Sequence, residues 1–127
     1  MKTRAIIIII SSIIIIGAAV TLLAFISETH PYGADDWRYG VQTWAERVRM
    51  SLTGDSAARF DYALRIADYC LADLAVAETP RGVDGAARSL AHALDVAAQV
   101  TGEAVSGERE TMLGALQIMF IRSDLVL

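Results

Sequence analysis

One cysteine, Cys70, stands in the whole chain, and its solitude excludes an internal disulfide, a haem-attachment motif and a cysteine-held iron–sulfur cluster. Proline is nearly as scarce. Pro31 and Pro80 are the two, and with alanine abundant the composition favours helices over a β-sandwich. Only two histidines occur, His30 and His92, far apart in the chain, so no clustered ligand set for a metal is visible. His92 has Asp95 three residues on, which reads as a surface pair. A glycine-rich phosphate loop is missing as well: "PRGVDG" has no following Lys-Ser/Thr and no preceding strand. Basic residues are outnumbered beyond residue 27, where the charge sums to −6, and such an acidic domain repels nucleic-acid phosphates.

No charge of either sign occurs from Ala5 to Ser27. Residues 5–26 form an apolar stretch of 22 residues, near the roughly 20 needed to cross a bilayer as a helix. A signal peptide has a shorter apolar core and an A-x-A cleavage site, and "FISETHP" offers none. An uncleaved transmembrane helix over 5–26 is therefore expected. Lys2 and Arg4 precede it and Glu28, Asp35 and Asp36 follow, which places residues 1–4 in the cytoplasm and the remainder outside it, periplasmic or extracellular. Within the segment Gly17, Thr21 and Ala24 share one face, where small side chains let a neighbouring helix approach in lipid. Tyr32, Trp37 and Tyr39 follow the membrane exit and fit an interfacial aromatic belt, with a core position for Trp37 as the alternative.

Residues 27–35 read as a linker and 36–127 as an all-α domain of about four helices, giving one membrane helix followed by a small bundle. The first bundle helix is expected to start near Asp36, capped by Asp35 or Asp36, with Trp37, Val41, Trp44, Val48 and Leu52 as its apolar stripe. Gly54 should end it in a left-handed cap, and Asp55 or Ser56 should cap the next helix. That helix runs to about Glu78 with Phe60, Leu64, Ala67, Leu71 and Leu74 as its seam. Thr79 with Pro80 opens a third, carrying Val83, Ala87, Leu90, Leu94 and Ala97 and stopping at Gly102. A fourth begins around Ser106 to Glu108. Its segment 112–121 has Gln117 as the single polar side chain. Met112, Leu113, Leu116, Ile118, Met119, Phe120 and Ile121 are thus candidates for contact with a partner or the membrane, with burial in their own bundle as the alternative.

The chemistry-bearing residues read as structural. Cys70 lies among acids, which raise a thiol pKa, and fits a buried small hydrophobe. Asp68 and Asp73, five apart, align poorly for acid–base work and read as a solvated face. Arg47 and Arg49 read as surface charge. No catalytic, cofactor or metal site is expected, and no small-molecule substrate.

The stretch "YGVQTWAERVRMSLTGDSAARFDYALRIADYCLADL", residues 39–74, resembles an uncharacterised helical domain family of bacterial extracytoplasmic proteins that follows a single transmembrane helix. Tyr39, Glu46, Arg47, Val48, Arg49, Leu52, Thr53 and Asp55 carry the likeness, while Gly40, Gln42 and "IADYCL" depart from the family pattern. The resemblance implies a helical fold and the same topology, and no activity. The expected role is a non-catalytic, single-pass accessory subunit of a larger bacterial membrane complex. It would contact other membrane subunits and lipid, with a respiratory or photosynthetic electron-transfer complex as host class. The alternative is a membrane-tethered regulatory or sensor ectodomain acting through a partner.

Overall fold

The computed structural model describes residues 1–126, and among them every regular element is helical: α1 (Lys2–Thr29), α2 (Tyr39–Leu52), α3 (Ser56–Val76), α4 (Pro80–Glu103) and α5 (Ser106–Val126). α1 has 28 residues, about 42 Å at 1.5 Å per residue. It is long and apolar enough to cross a membrane. From Ile6 to Val20 its large side chains are exposed. Its hydroxyls turn back on its own carbonyls, Ser12 to Ile8 at 2.8 Å and Thr21 to Gly17 at 2.9 Å. Such bonds lower the cost of placing these two hydroxyls in an apolar surrounding. The helix outlasts the apolar stretch: Ile26 and Ser27 are buried in the domain, and the connection starts only at His30 rather than at residue 27.

α2 departs most from expectation. It begins at Tyr39, and Asp36 accepts from the Arg38 backbone N–H just before it. Asp35 instead reaches the start of α4, accepting from the backbone N–H groups of Glu78 and Thr79 at 2.9 and 3.0 Å. The buried face of α2 is Tyr39, Gln42, Ala45, Glu46 and Met50. The expected stripe faces outward, with Trp37, Val41, Trp44 and Leu52 all exposed. Trp37 is therefore no core residue. The inversion has a physical cause: the Gln42 amide and one carboxylate oxygen of Glu46 find partners inside, described below. Gly54 is not left-handed either; Thr53 ends α2 in an extended conformation, its N–H on the Arg49 carbonyl.

The remaining helices follow their capping chemistry. The Asp55 carboxylate accepts from Ala58 N–H, and the Thr79 hydroxyl accepts from Gly82 N–H with Pro80 in the first turn. α3 stops at Val76, and α4 runs one residue past Gly102. The core lies mainly between α3 and α4, with Met50 from α2 and Met112, Leu116 and Met119 from α5 closing it. Of the expected seams, Phe60, Ala67, Leu71, Leu90, Leu94 and Ala97 are buried, Leu64, Leu74 and Ala87 are half-buried, and Val83 is exposed. Ala63, Ala67, Ala93 and Ala97 have no exposed surface. These small side chains set a close α3–α4 approach, so bulk added there has nowhere to go. Ala97→Leu should cost about 1–3 kcal/mol through overpacking. Thermal unfolding of the full chain in detergent, followed by circular dichroism, would read this as a lower midpoint.

Candidate functional site: the joint between α1 and the bundle

α1 ends in a left-handed turn at His30 (φ 45°, ψ 58°), whose N–H bonds the Ile26 carbonyl at 3.1 Å. A side chain there is strained by about 1–2 kcal/mol, although histidine tolerates it better than most. The turn carries the imidazole inward. Nδ1 donates to Glu46 Oε1 of α2 at 2.5 Å, and Nε2 donates to Asp73 Oδ2 of α3 at 2.7 Å. The side chains of His30 and Glu46 are 5% and 1% exposed and that of Asp73 is 13% exposed, so the cluster touches solvent only at its Asp73 edge. Tyr69 stacks on the imidazole at 4.7 Å, and Tyr39 meets it edge-on at 6.0 Å.

Two carboxylates on two ring nitrogens require the doubly protonated ring. Burial disfavours its charge, but the hydrogen bonds to Asp73 and Glu46 and their negative charges outweigh burial and raise the His30 pKa to about 9. Glu46 is shifted upward by burial, against the pull of His30. Its second oxygen, Oε2, is buried with no partner. Gln42 completes the shell. Its amide oxygen accepts from Tyr32 N–H at 2.8 Å and its amide nitrogen donates to the Tyr32 carbonyl at 2.9 Å, fixing the chain just after the turn.

Further ties surround this cluster. Tyr62 of α3 donates to the Ser27 carbonyl at 2.6 Å. Arg49 and Arg65 both pair with Glu28 and lie over the Tyr62 ring at 4.8 and 5.2 Å. Asp35 sits so close to Gly82 that a Cβ there would lie 2.1 Å from its oxygen, so only glycine fits. Cys70 is fully buried, its thiol pKa pushed up to about 12 by burial, with Tyr39 Oη at 3.8 Å. α1 is thus fastened to α2 and α3 by a buried ionic cluster, and the connecting segment to the start of α4 by Asp35. Among the described residues no group of three or more His, Cys, Asp or Glu is arranged to hold a metal. The cluster can hold two parts together.

The residues singled out from the sequence fare variously. Gly17 has open space around it and Thr21 is exposed, while Ala24 lines a groove facing α2. Tyr39 is buried in the bundle and so cannot join an aromatic belt; Tyr32 is half-buried beneath Arg38, and Trp37 is exposed. Met112, Leu116 and Met119 belong to the bundle core and are unavailable to a partner, whereas Leu113, Ile118, Phe120 and Ile121 are exposed. Asp73 is no solvated acid but a ligand of His30, and Arg49 packs on Tyr62. His30, Glu46, Gln42 and Asp73 escaped sequence reasoning. The available signal was a histidine in the turn after an apolar helix, with Gln42 and Glu46 four apart on one face of the next.

Comparison with protein-family models, with curated proteins and with solved structures finds no match for the chain.

Replacing His30 with Phe strands two buried carboxylates and should cost about 3–5 kcal/mol. The pH dependence has a definite sign. The folded-state pKa of His30 lies above its ordinary value of 6.5. Its stabilisation is therefore complete below that value and is lost as pH rises through about 9. Urea unfolding of the wild type should show stability falling across this window, and the His30→Phe chain should lack that component.

Proposed function

We propose that the chain is a non-catalytic, single-pass subunit of a bacterial membrane complex, with α1 as the anchor and the bundle as the docking module. The observation that carries this is the outer face of α5. Leu113, Ile118, Phe120, Ile121 and Leu125 are each at least 44% exposed. Ile118, Ile121 and Leu125 lie opposite the core residues Met112, Leu116 and Met119, with Leu113 and Phe120 on the flank. A face of this kind on a small bundle is costly in water and marks a contact surface. Lys2 and Arg4 before α1, with acids after it, support a cytoplasmic N-terminus and a bundle on the far side. In lipid, the Gly17–Thr21 side of α1 is open to a neighbouring helix. The rigid joint supports a second reading, a regulatory ectodomain, because a shift of α1 would be passed directly to α2 and α3.

Purification in mild detergent followed by mass spectrometry tests the docking reading. The native chain should bring partner membrane proteins with it, and Ile118→Glu with Ile121→Glu should release them while leaving the helical signal unchanged. A wild-type chain that elutes alone as a monomer defeats the proposal. Gly17→Leu should weaken the same association without releasing the chain from membranes; unchanged co-purification would discount the Gly17 side.

A further inference from the structure

α2 runs antiparallel to the end of α1. Gln42 and Glu46, near its start, meet Tyr32 and His30. Arg49 meets Glu28 and Ser27. Leu52 and Thr53, at its end, line a groove of about 560 Å³ together with Val20, Leu23 and Ala24 of α1. α2 therefore leads back down the anchor rather than away from it.

The register matters. The first 20 apolar residues of α1, Ala5 to Ala24, span about 30 Å, the thickness of a hydrocarbon core. The groove thus opens at the boundary of that core. Trp44, Val48 and Leu52 form its α2 wall, with Trp44 56% and Leu52 78% exposed. Whatever surrounds Val20 and Ala24 surrounds Leu52 also. The polar groups at this end are turned inward: Ser51 donates to the Val48 carbonyl and Thr53 to the Arg49 carbonyl, both at 2.8 Å. About 6 Å above Ala24, in the headgroup layer, Arg49, which lines the groove, and Arg65, which lines the adjoining hollow with Asp61, both pair with the carboxylate of Glu28, each half-exposed.

We propose that this groove seats a phospholipid of the adjacent leaflet. Its acyl chain lies against Val20, Leu23, Val48 and Leu52. Its phosphate meets Arg49 at the groove's rim with Arg65 beside it, and Trp44, about 7 Å farther from the core than Arg49, borders the headgroup. The bundle is then laid against the membrane surface along α2 rather than held clear of it. The inference rests on α1 spanning the bilayer, which flotation of the full chain with vesicles and its resistance to alkaline extraction test separately.

The two tryptophans make the experiment internally controlled, because Trp37 precedes α2 and lies about 10 Å beyond Trp44, farther from the Leu52 end. The full chain is reconstituted in phosphatidylglycerol–phosphatidylethanolamine vesicles, some brominated near the glycerol end of the acyl chain. Trp37→Phe reports Trp44, and Trp44→Phe reports Trp37. Brominated lipid should quench Trp44 more strongly than Trp37. Equal quenching of the two, or an unquenched Trp44 in chains that resist extraction, overturns the proposal. As a second reading, Leu52→Cys carrying an environment-sensitive dye should be blue-shifted in vesicles; a dye that stays in water overturns it also. Disulfide-linked dimers through Leu52→Cys, with Trp44 shielded from bromine, would instead assign the groove to a second copy of the chain.

Discussion

The protonated ring of His30, held between Glu46 and Asp73, is the interaction on which the arrangement of α1, α2 and α3 depends. Three ionisable groups buried together are costly to desolvate, and their mutual attraction offsets that cost only in close geometry. That geometry is present, with both ring nitrogens spent on carboxylates and Tyr69 stacked on the ring. Because the His30 pKa is raised to about 9, the ring stays charged across neutral pH. In that range the cluster acts as a fastening and not as a switch. The strained left-handed turn at His30 persists because the cluster over-determines it.

The cluster also decides which face of α2 is inside. Gln42 and Glu46 would not be buried on their own account, but the Gln42 amide pairs with the Tyr32 backbone and one Glu46 oxygen pairs with His30. Once that face is taken, the more apolar stripe of Trp44, Val48 and Leu52 must turn outward. A stripe that looks like core in the sequence becomes an external surface beside α1. Burial of the polar face and exposure of the apolar one have a single cause.

A bundle fastened at several points to the top of α1 has a fixed orientation relative to that helix. With α1 in a bilayer, the face of α5 bearing Ile118 and Ile121 is held at a fixed position beside the membrane. A preorganised surface loses less entropy on binding than a loosely tethered one. The exposed pair of arginines over Tyr62 adds little stability, but it places positive charge where the membrane surface would lie.

Much of the architecture was legible in the residues themselves. The uncharged run before Glu28, the Asp55 and Thr79 caps, Pro80 in the first turn of α4 and the four-three spacing of α3 and α4 are local signals, and local backbone and hydrophobic physics is enough to read them. The candidate site was not legible. His30, Glu46 and Asp73 are separated by 16 and 43 positions from the histidine, and no spacing rule links them. The outward turn of Trp44 and Leu52 was hidden for the same reason. Periodicity reports that a helix has two unlike faces, but which one is buried depends on partners contributed by other helices. Composition and local pattern determined that this chain has one membrane-length helix and four shorter ones. Tertiary contact alone decided how they are joined and which surfaces remain free.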